Sequence, residues 1–510
     1  MAYLIGIDVG TSGTKTVLFD ESGKAHASVT EEYPLLTPNP GWTEQNPEDW
    51  WSACVQSIKG VIQQSGINTD EIKGIGLSGQ MHGSVFLDAD NNVVRPAILW
   101  NDGRTADECN EITDIIGEQR LLELASNPAL TGFTAPKAVW LKNKEPENFK
   151  KTQTLCLPKD YVRFRLTGEI AMEVSDGAGT LLFNVKERNW SQDILNALGI
   201  PTEWMPPMKE STDVCGTITS EVAKETGLKE GTPVVGGGAD NACGATGTGV
   251  VVEGRVLASL GTSGVILGPM KNPQTDPQGR AHTFCHSVPN IWYLMGVVLS
   301  AGMSFSWFRD TIALAEQAEA KASDRDPYEI LTELAGKAPV GSEGLVFLPY
   351  LTGERTPHKD PYARGGFIGL TIRHKREHLV RAVLEGITFA MRDSLEILRE
   401  QGVEIKEVRA TGGGAKSAFW KQLQADIYGC EIATLSADQG PAFGAAIMAG
   451  VGTGMYKSIP EACDSLLSVV ERTEPVAANV KEYNDFYHVY KHLYPSIKNA
   501  CHTLSKKVSA

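Results

Sequence analysis

The sequence predicts an α/β protein with two large domains on either side of a cleft, and three observations lead there. The chain has 510 residues, beyond what one hydrophobic core usually spans, which suggests two large domains or several small ones. The tetrapeptide Gly-Thr-Ser-Gly occurs twice, at 10–13 and at 261–264, each time directly behind an apolar run. Runs with strand and helix periodicity alternate through both halves, as in layered α/β folds.

The first half opens as strand, turn, strand. Residues 4–9 form the first strand and 14–20 the second, and a turn at 21–24 leads into a third. The connecting turn draws on Gly10 and Gly13 for its backbone angles, lets N–H groups approach an anion, and adds the hydroxyls of Thr11 and Ser12. Asp8 stands just before it as a carboxylate for a divalent cation such as Mg2+, or as a turn aspartate bonded to local backbone. Lys15 places a positive charge just after it. Asn46 then reads as an N-cap with Pro47 at the first helical position, and Trp50, Trp51, Cys54, Ile58, Val61 and Ile62 form the apolar face of the helix. A buried strand over 72–77 runs into Ser78-Gly79-Gln80-Met81-His82-Gly83. Met81 and His82 there are core residues or sugar contacts. Trp100-Asn101-Asp102 ends a further apolar run, and its aromatic face, amide and carboxylate suit a polyol.

The second half repeats the theme. A strand-turn-strand over 255–267 surrounds Gly261, Thr262 and Ser263, so the two turns could grip one polyphosphate from both sides. Val380, Leu384, Ile387, Met391, Leu395 and Leu398 recur at spacings of three and four, which marks a long amphipathic helix. A strand over 407–411 leads into Gly412, Gly413 and Gly414, whose bare backbone would let a flat adenosine lie against it. A helix carrying Phe419, Leu423 and Ile427 on one face comes next. The glycine-rich segment 236–241 suits a hinge, which divides the chain into 1–245, 246–475 and a helical segment 476–510 expected to pack back on the first domain. Asp240, beside that hinge, is a general base reaching into the cleft or a helix N-cap.

Composition excludes several classes. The protein carries 62 acidic against 47 basic residues, a formal charge of −15, which repels nucleic acid and anionic membranes. Nine cysteines without a CxxC pair point to a reducing compartment. Asp8 interrupts the first apolar run and nothing downstream reaches the length of a membrane span, so a cytoplasmic location is expected. His282, Cys285 and His286 sit in an alternating strand without a second ligand pair, which disfavours a metal. The Walker spacing is absent, and no GxGxxG fingerprint follows a strand.

Together, DVGTSGTK, SLGTSG, GGGADN and TGGGAKS resemble the FGGY family of carbohydrate kinases over nearly the whole chain. The resemblance implies two actin-like, ribonuclease H-like sugar-kinase domains around an interdomain cleft. SGQMHG at 78–83, the segment at 157–169, SDGAGTLLF at 175–183 and the segment at 348–365 are similar to members of that family acting on D-xylulose. The resemblance further implies ATP-dependent phosphorylation of D-xylulose, with ATP and Mg2+ as cofactors, a sugar and ATP as partners, no nucleic acid or membrane, and a homodimer as a permitted assembly. By the same matching Asp240 is the catalytic base; Met81, His82, Asp240 and Asn241 contact the sugar; Asp8 lies near magnesium; Thr11, Ser12, Thr262 and Ser263 hold phosphates; and Gly413, Gly414 and Ser417 hold adenosine. Ala239 stands where glycine is usual, which is expected to tighten the pocket. Another ketose or polyol, such as L-ribulose, D-gluconate or glycerol, is the alternative acceptor. An actin-like or chaperone-like ATPase is the alternative outside sugar kinases.

Overall fold

A computed structural model of the protein describes residues 1–436 and 440–508; the last two residues of the 476–510 segment lie outside the described residues. Two seven-stranded sheets organise it. The first runs in the order Val214–Thr217, Pro233–Val235, Ile72–Gly79, Tyr3–Val9, Gly13–Asp20, Ala25–Glu32, with Gly238–Ala239 beside the end of Ile72–Gly79. The second runs His282–Cys285, Trp292–Val298, Gly264–Met270, Gly254–Leu260, Ile405–Gly412, Glu431–Leu435, Val469–Thr473. Both obey one plan: an antiparallel meander whose first strand pairs in parallel with a strand from further along the chain. The turns differ in register by one residue, since Val9 faces Thr14 across residues 10–13 and Leu260 faces Gly264 across residues 261–263.

The helix Pro47–Ser65 starts as the sequence predicts. The Asn46 side chain accepts from the Glu48 N–H at 3.3 Å and Gly66 ends the helix in the left-handed conformation. It buries Trp50, Trp51, Cys54, Ile58 and Val61, while Ile62 is only partly covered. The periodic residues from Val380 to Leu398 lie buried along Arg376–Glu400.

Two expectations change. Glycines 236–238 are packed rather than free to hinge: a Cβ on Gly237 would come within 1.9 Å of the Leu77 carbonyl oxygen. The terminal helix Ala477–Val508 packs on the second half, not the first, because its tyrosine stripe finds carboxylates there. Tyr483 donates to Glu385 at 2.8 Å, Tyr487 to Asp393 at 2.6 Å and Tyr494 to Asp360 at 2.6 Å.

One helix crosses between the halves. Pro441–Gly452 belongs by sequence to the second half, yet it lies on the first sheet, close enough that a Cβ on Gly6 would stand 1.8 Å from the Ala442 oxygen and one on Gly76 2.0 Å from that of Ala445. It also crosses the helix Asp240–Gly247, where a Cβ on Gly444 would meet the Cys243 oxygen at 2.0 Å. Glycine is required at these crossings because backbone meets backbone. Among the described residues no helix is long and apolar enough to cross a membrane.

Candidate active site

A cavity of about 190 Å³ opens between the halves. That is below the roughly 300–1,000 Å³ of pockets that take drug-sized molecules, so it suits a small acceptor. Met81, His82, Trp100, Gly132 and Phe133 line it from the first half, and Ser263, Val265, Met295, Val297 and Arg355 from the second; Asp240 and Asn241 complete it.

Asp240 opens the helix Asp240–Gly247, with Ala239 in the N-cap position, so the capping alternative for Asp240 does not hold. Its Oδ1 accepts from the Asn241 N–H at 2.7 Å and from Asn241 Nδ2 at 3.0 Å. Burial, reinforced by the nearby Asp8 charge and opposed by the Asn241 bonds, pushes its carboxyl up to about 7. Ala239 is fully buried and does not line the cavity, so its methyl does not narrow the pocket.

His82 sits at φ +67°, held there by its own bonds. Its Nδ1 lies 2.5 Å from the Gly179 oxygen, while its carbonyl accepts from Thr134 Oγ1 at 3.0 Å and Lys137 Nζ at 2.8 Å. A carbonyl can only accept, so Nδ1 carries the hydrogen. Burial holds the imidazole down to about 3. His82 is therefore neutral near pH 7, with Nε2 a bare acceptor. The Met81 sulfur accepts from Asn241 Nδ2 at 3.6 Å.

The first turn is held from outside itself. Gly10 N–H bonds the Gly13 oxygen at 3.0 Å; Tyr33 OH donates to the Gly10 oxygen at 2.5 Å, and Gln45 Nε2 to the Thr11 oxygen at 2.7 Å. Trp100 Nε1 donates to Thr11 Oγ1 at 2.9 Å, which ties the wall of the cavity to the turn. Ser12 is exposed, and Lys15 stands directly opposite Asp8 in the antiparallel ladder. The second turn leaves Gly261, Thr262 and Ser263 exposed; the Gly302 and Met303 N–H groups each bond one of its carbonyls at 3.0 Å. Gly413 is exposed and Gly414 passes so near Leu260 that a Cβ would lie 2.9 Å from its Cδ1, which brings the glycine run to the base of the second turn. Ser417 caps the helix Ala418–Tyr428, accepting from the Trp420 N–H at 3.3 Å.

Asp102 departs from its expected place. It is buried against Arg104 at 2.8 Å and accepts from the Thr43 N–H at 2.6 Å, outside the cavity lining. Its partner at i+2 claims the carboxylate. His282 and His286 are buried, bonded to Asn127 Oδ1 at 2.9 Å and the Val250 oxygen at 3.0 Å. Sequence reasoning did not find Gln45, Tyr33, Lys137 or Arg355. Only Lys137 and Arg355 carried any signal: charges among apolar or glycine-rich neighbours.

The residues present fit a magnesium ion. Asp8 Oδ1 is buried with no hydrogen-bond partner, and burial raises its carboxyl, with the neighbouring Ser78 hydroxyl and the Lys15 charge opposing. No group of three or more ligating side chains occurs among the described residues, and an ion that keeps waters and phosphate oxygens needs none.

Comparison with known proteins agrees with this geometry. Residues 3–247 match the N-terminal domain of the FGGY family of carbohydrate kinases and residues 256–453 its C-terminal domain. The chain is 44% identical over 499 residues to a xylulose kinase of Bacillus subtilis (strain 168), covering 98% of each chain. It is 39% identical over 495 residues to one from Escherichia coli (strain K12), covering 96% of this chain and 99% of that one. A ligand-bound xylulose kinase from Lactobacillus acidophilus superposes with a TM-score of 0.92 at 30% identity, over 99% of this chain and 100% of that one. With both family domains matched in order around a cleft that holds a buried carboxylate and is bordered by two hydroxyl-bearing turns, the chain belongs to the FGGY family of carbohydrate kinases.

Proposed function

We propose that this sugar kinase transfers the γ-phosphoryl group of ATP to the terminal hydroxyl of D-xylulose, giving D-xylulose 5-phosphate and ADP, with Asp240 as general base. The observation that carries the reading is Asp240 in a cavity shared by both halves, its carboxyl raised to about 7. That value matches a base working near neutrality, strong enough to take a proton and still about half ionised. The xylulose kinases among its relatives support the choice of acceptor.

The acceptor hydroxyl gives its proton to Asp240 as its oxygen forms a bond to the γ-phosphorus; the bond to the bridging β,γ oxygen breaks, and ADP leaves. Neutral His82 accepts a sugar hydroxyl at Nε2, and Asn241 fixes one oxygen of Asp240. Thr11 and Ser12 on one side and Thr262 and Ser263 on the other offer hydroxyls and N–H groups to the phosphates. Magnesium, when bound, would supply charge neutralisation on the β- and γ-phosphates, and Asp8 is the residue that would hold it. The test is ADP release from magnesium-ATP with D-xylulose, L-ribulose, D-gluconate or glycerol at equal concentration. Strong stimulation by D-xylulose is expected; stimulation by another acceptor alone would discard the substrate, and none by any would return the chain to the ATPase alternative.

A further inference from the structure

Asp240 and Arg355 are the two charged side chains of the cavity at neutral pH, and they do not neutralise each other. Among the described residues the Arg355 guanidinium has no hydrogen bond and no ion pair; only its backbone is engaged, the N–H with Glu354 Oε1 at 2.7 Å and the carbonyl with the Lys359 N–H at 2.7 Å. Glu354 is no counter-ion: burial pushes its carboxyl up to about 8, so it is mainly protonated near pH 7. The segment is firmly placed. Glu354 Oε1 also accepts from the Leu299 N–H at 3.0 Å, and Thr356 exchanges bonds with Val297, from the Val297 N–H to Thr356 Oγ1 at 3.0 Å and from the Thr356 N–H to the Val297 oxygen at 3.1 Å. The side chain then spans the cleft, since a Cβ on Gly132 of the first half would stand 3.7 Å from Arg355 Nη2.

A half-buried guanidinium with five donors and no acceptor calls for an oxygen that accepts without donating. Val265, Met295 and Val297 in the same lining are apolar, so they offer a hydroxyl's own hydrogen no oxygen or nitrogen acceptor. A carbonyl has no such hydrogen. Resting on the reading that this cavity takes the acceptor sugar, we infer that Arg355 is a specificity-determining residue that donates to the keto oxygen of a 2-ketose and so selects ketoses over the corresponding alditols.

The test compares wild type with Arg355→Met and Arg355→Lys, reading KM for D-xylulose, the inhibition constant of D-arabinitol (its C2-reduced counterpart), KM for ATP and melting temperature. Losing a hydrogen bond to a charged donor predicts a rise in the D-xylulose KM of about 10- to 100-fold in Arg355→Met, with Arg355→Lys intermediate. The D-arabinitol constant should change less than about threefold by the same reasoning, with KM for ATP and melting temperature held. Equal losses for ketose and alditol, no loss for either, or a fall in kcat at unchanged KM would each overturn the inference, the last by moving Arg355 to the phosphoryl group. A wild-type enzyme inactive on D-xylulose but active on glycerol or another alditol would overturn the acceptor assignment itself, a failure visible before any variant is made.

Discussion

Asp240 is held where the fold favours its neutral form, and the proposed role as base needs its charged one. Its carboxyl moves from 3.8 to about 7 on folding, so the folded state binds the proton more tightly than the unfolded chain. Stability is therefore fully present below the unfolded value, falls as pH rises across that interval, and levels off above about 7. Asp240→Asn does not titrate and should melt higher than wild type at pH 8, with the difference closing toward pH 4; each kcal/mol regained is worth about 2–4 °C in a large domain. A difference independent of pH would contradict the shift. His82→Ala should raise KM for the sugar about tenfold or more, the loss of a buried hydrogen bond and its packing, while KM for ATP stays put in the same assay. The places of Asp240 and His82 in the cavity were legible because each comes after an apolar strand in a short polar segment. Asp102 was misread because the same description fits it, and nothing in the local pattern announces that Arg104 claims its carboxylate.

At the scale of elements, both Gly-Thr-Ser-Gly turns were legible as strand-turn-strand, and the structure adds what holds them. Gln45 and Tyr33 reach the first turn from outside the meander's opening hairpin, so their part depends on long-range pairing that periodicity does not carry. Trp100 joins the turn through a single indole N–H bond at 2.9 Å. Trp100→Phe keeps most of the ring but loses that bond, and should raise KM for ATP roughly 3- to 10-fold, the scale of one neutral hydrogen bond, in initial-rate assays. The crossing helix Pro441–Gly452 was not foreseen either, because its small residues look like any helix interior until the facing Gly6 and Gly76 are known. Gly76→Ala would drive a methyl into the Ala445 carbonyl and should cost about 1–3 kcal/mol as overpacking, read by denaturant unfolding; an unchanged midpoint would mean the crossing yields.

At the scale of the molecule, duplication of one sheet plan was visible in the repeated tetrapeptide, and so was a cleft at the paired strand ends. Packing across the chain midpoint was not. The helix from the second half that covers the first sheet, and the tyrosine-striped terminal helix that stays with the second, depend on which faces are complementary, which a single sequence does not encode in its periodicity. The arrangement makes both halves contribute to one cavity, with Asp240, His82 and Trp100, which is bonded to the first turn, on one side and Arg355 and Ser263 of the second turn on the other. Its central claim is that the acceptor hydroxyl loses its proton to Asp240 there. The most direct measurement is turnover of D-xylulose by Asp240→Asn beside its affinity for the sugar. Loss of a general base predicts kcat lower by about a hundredfold or more, with sugar binding kept within a few-fold; near-wild-type turnover would contradict the account.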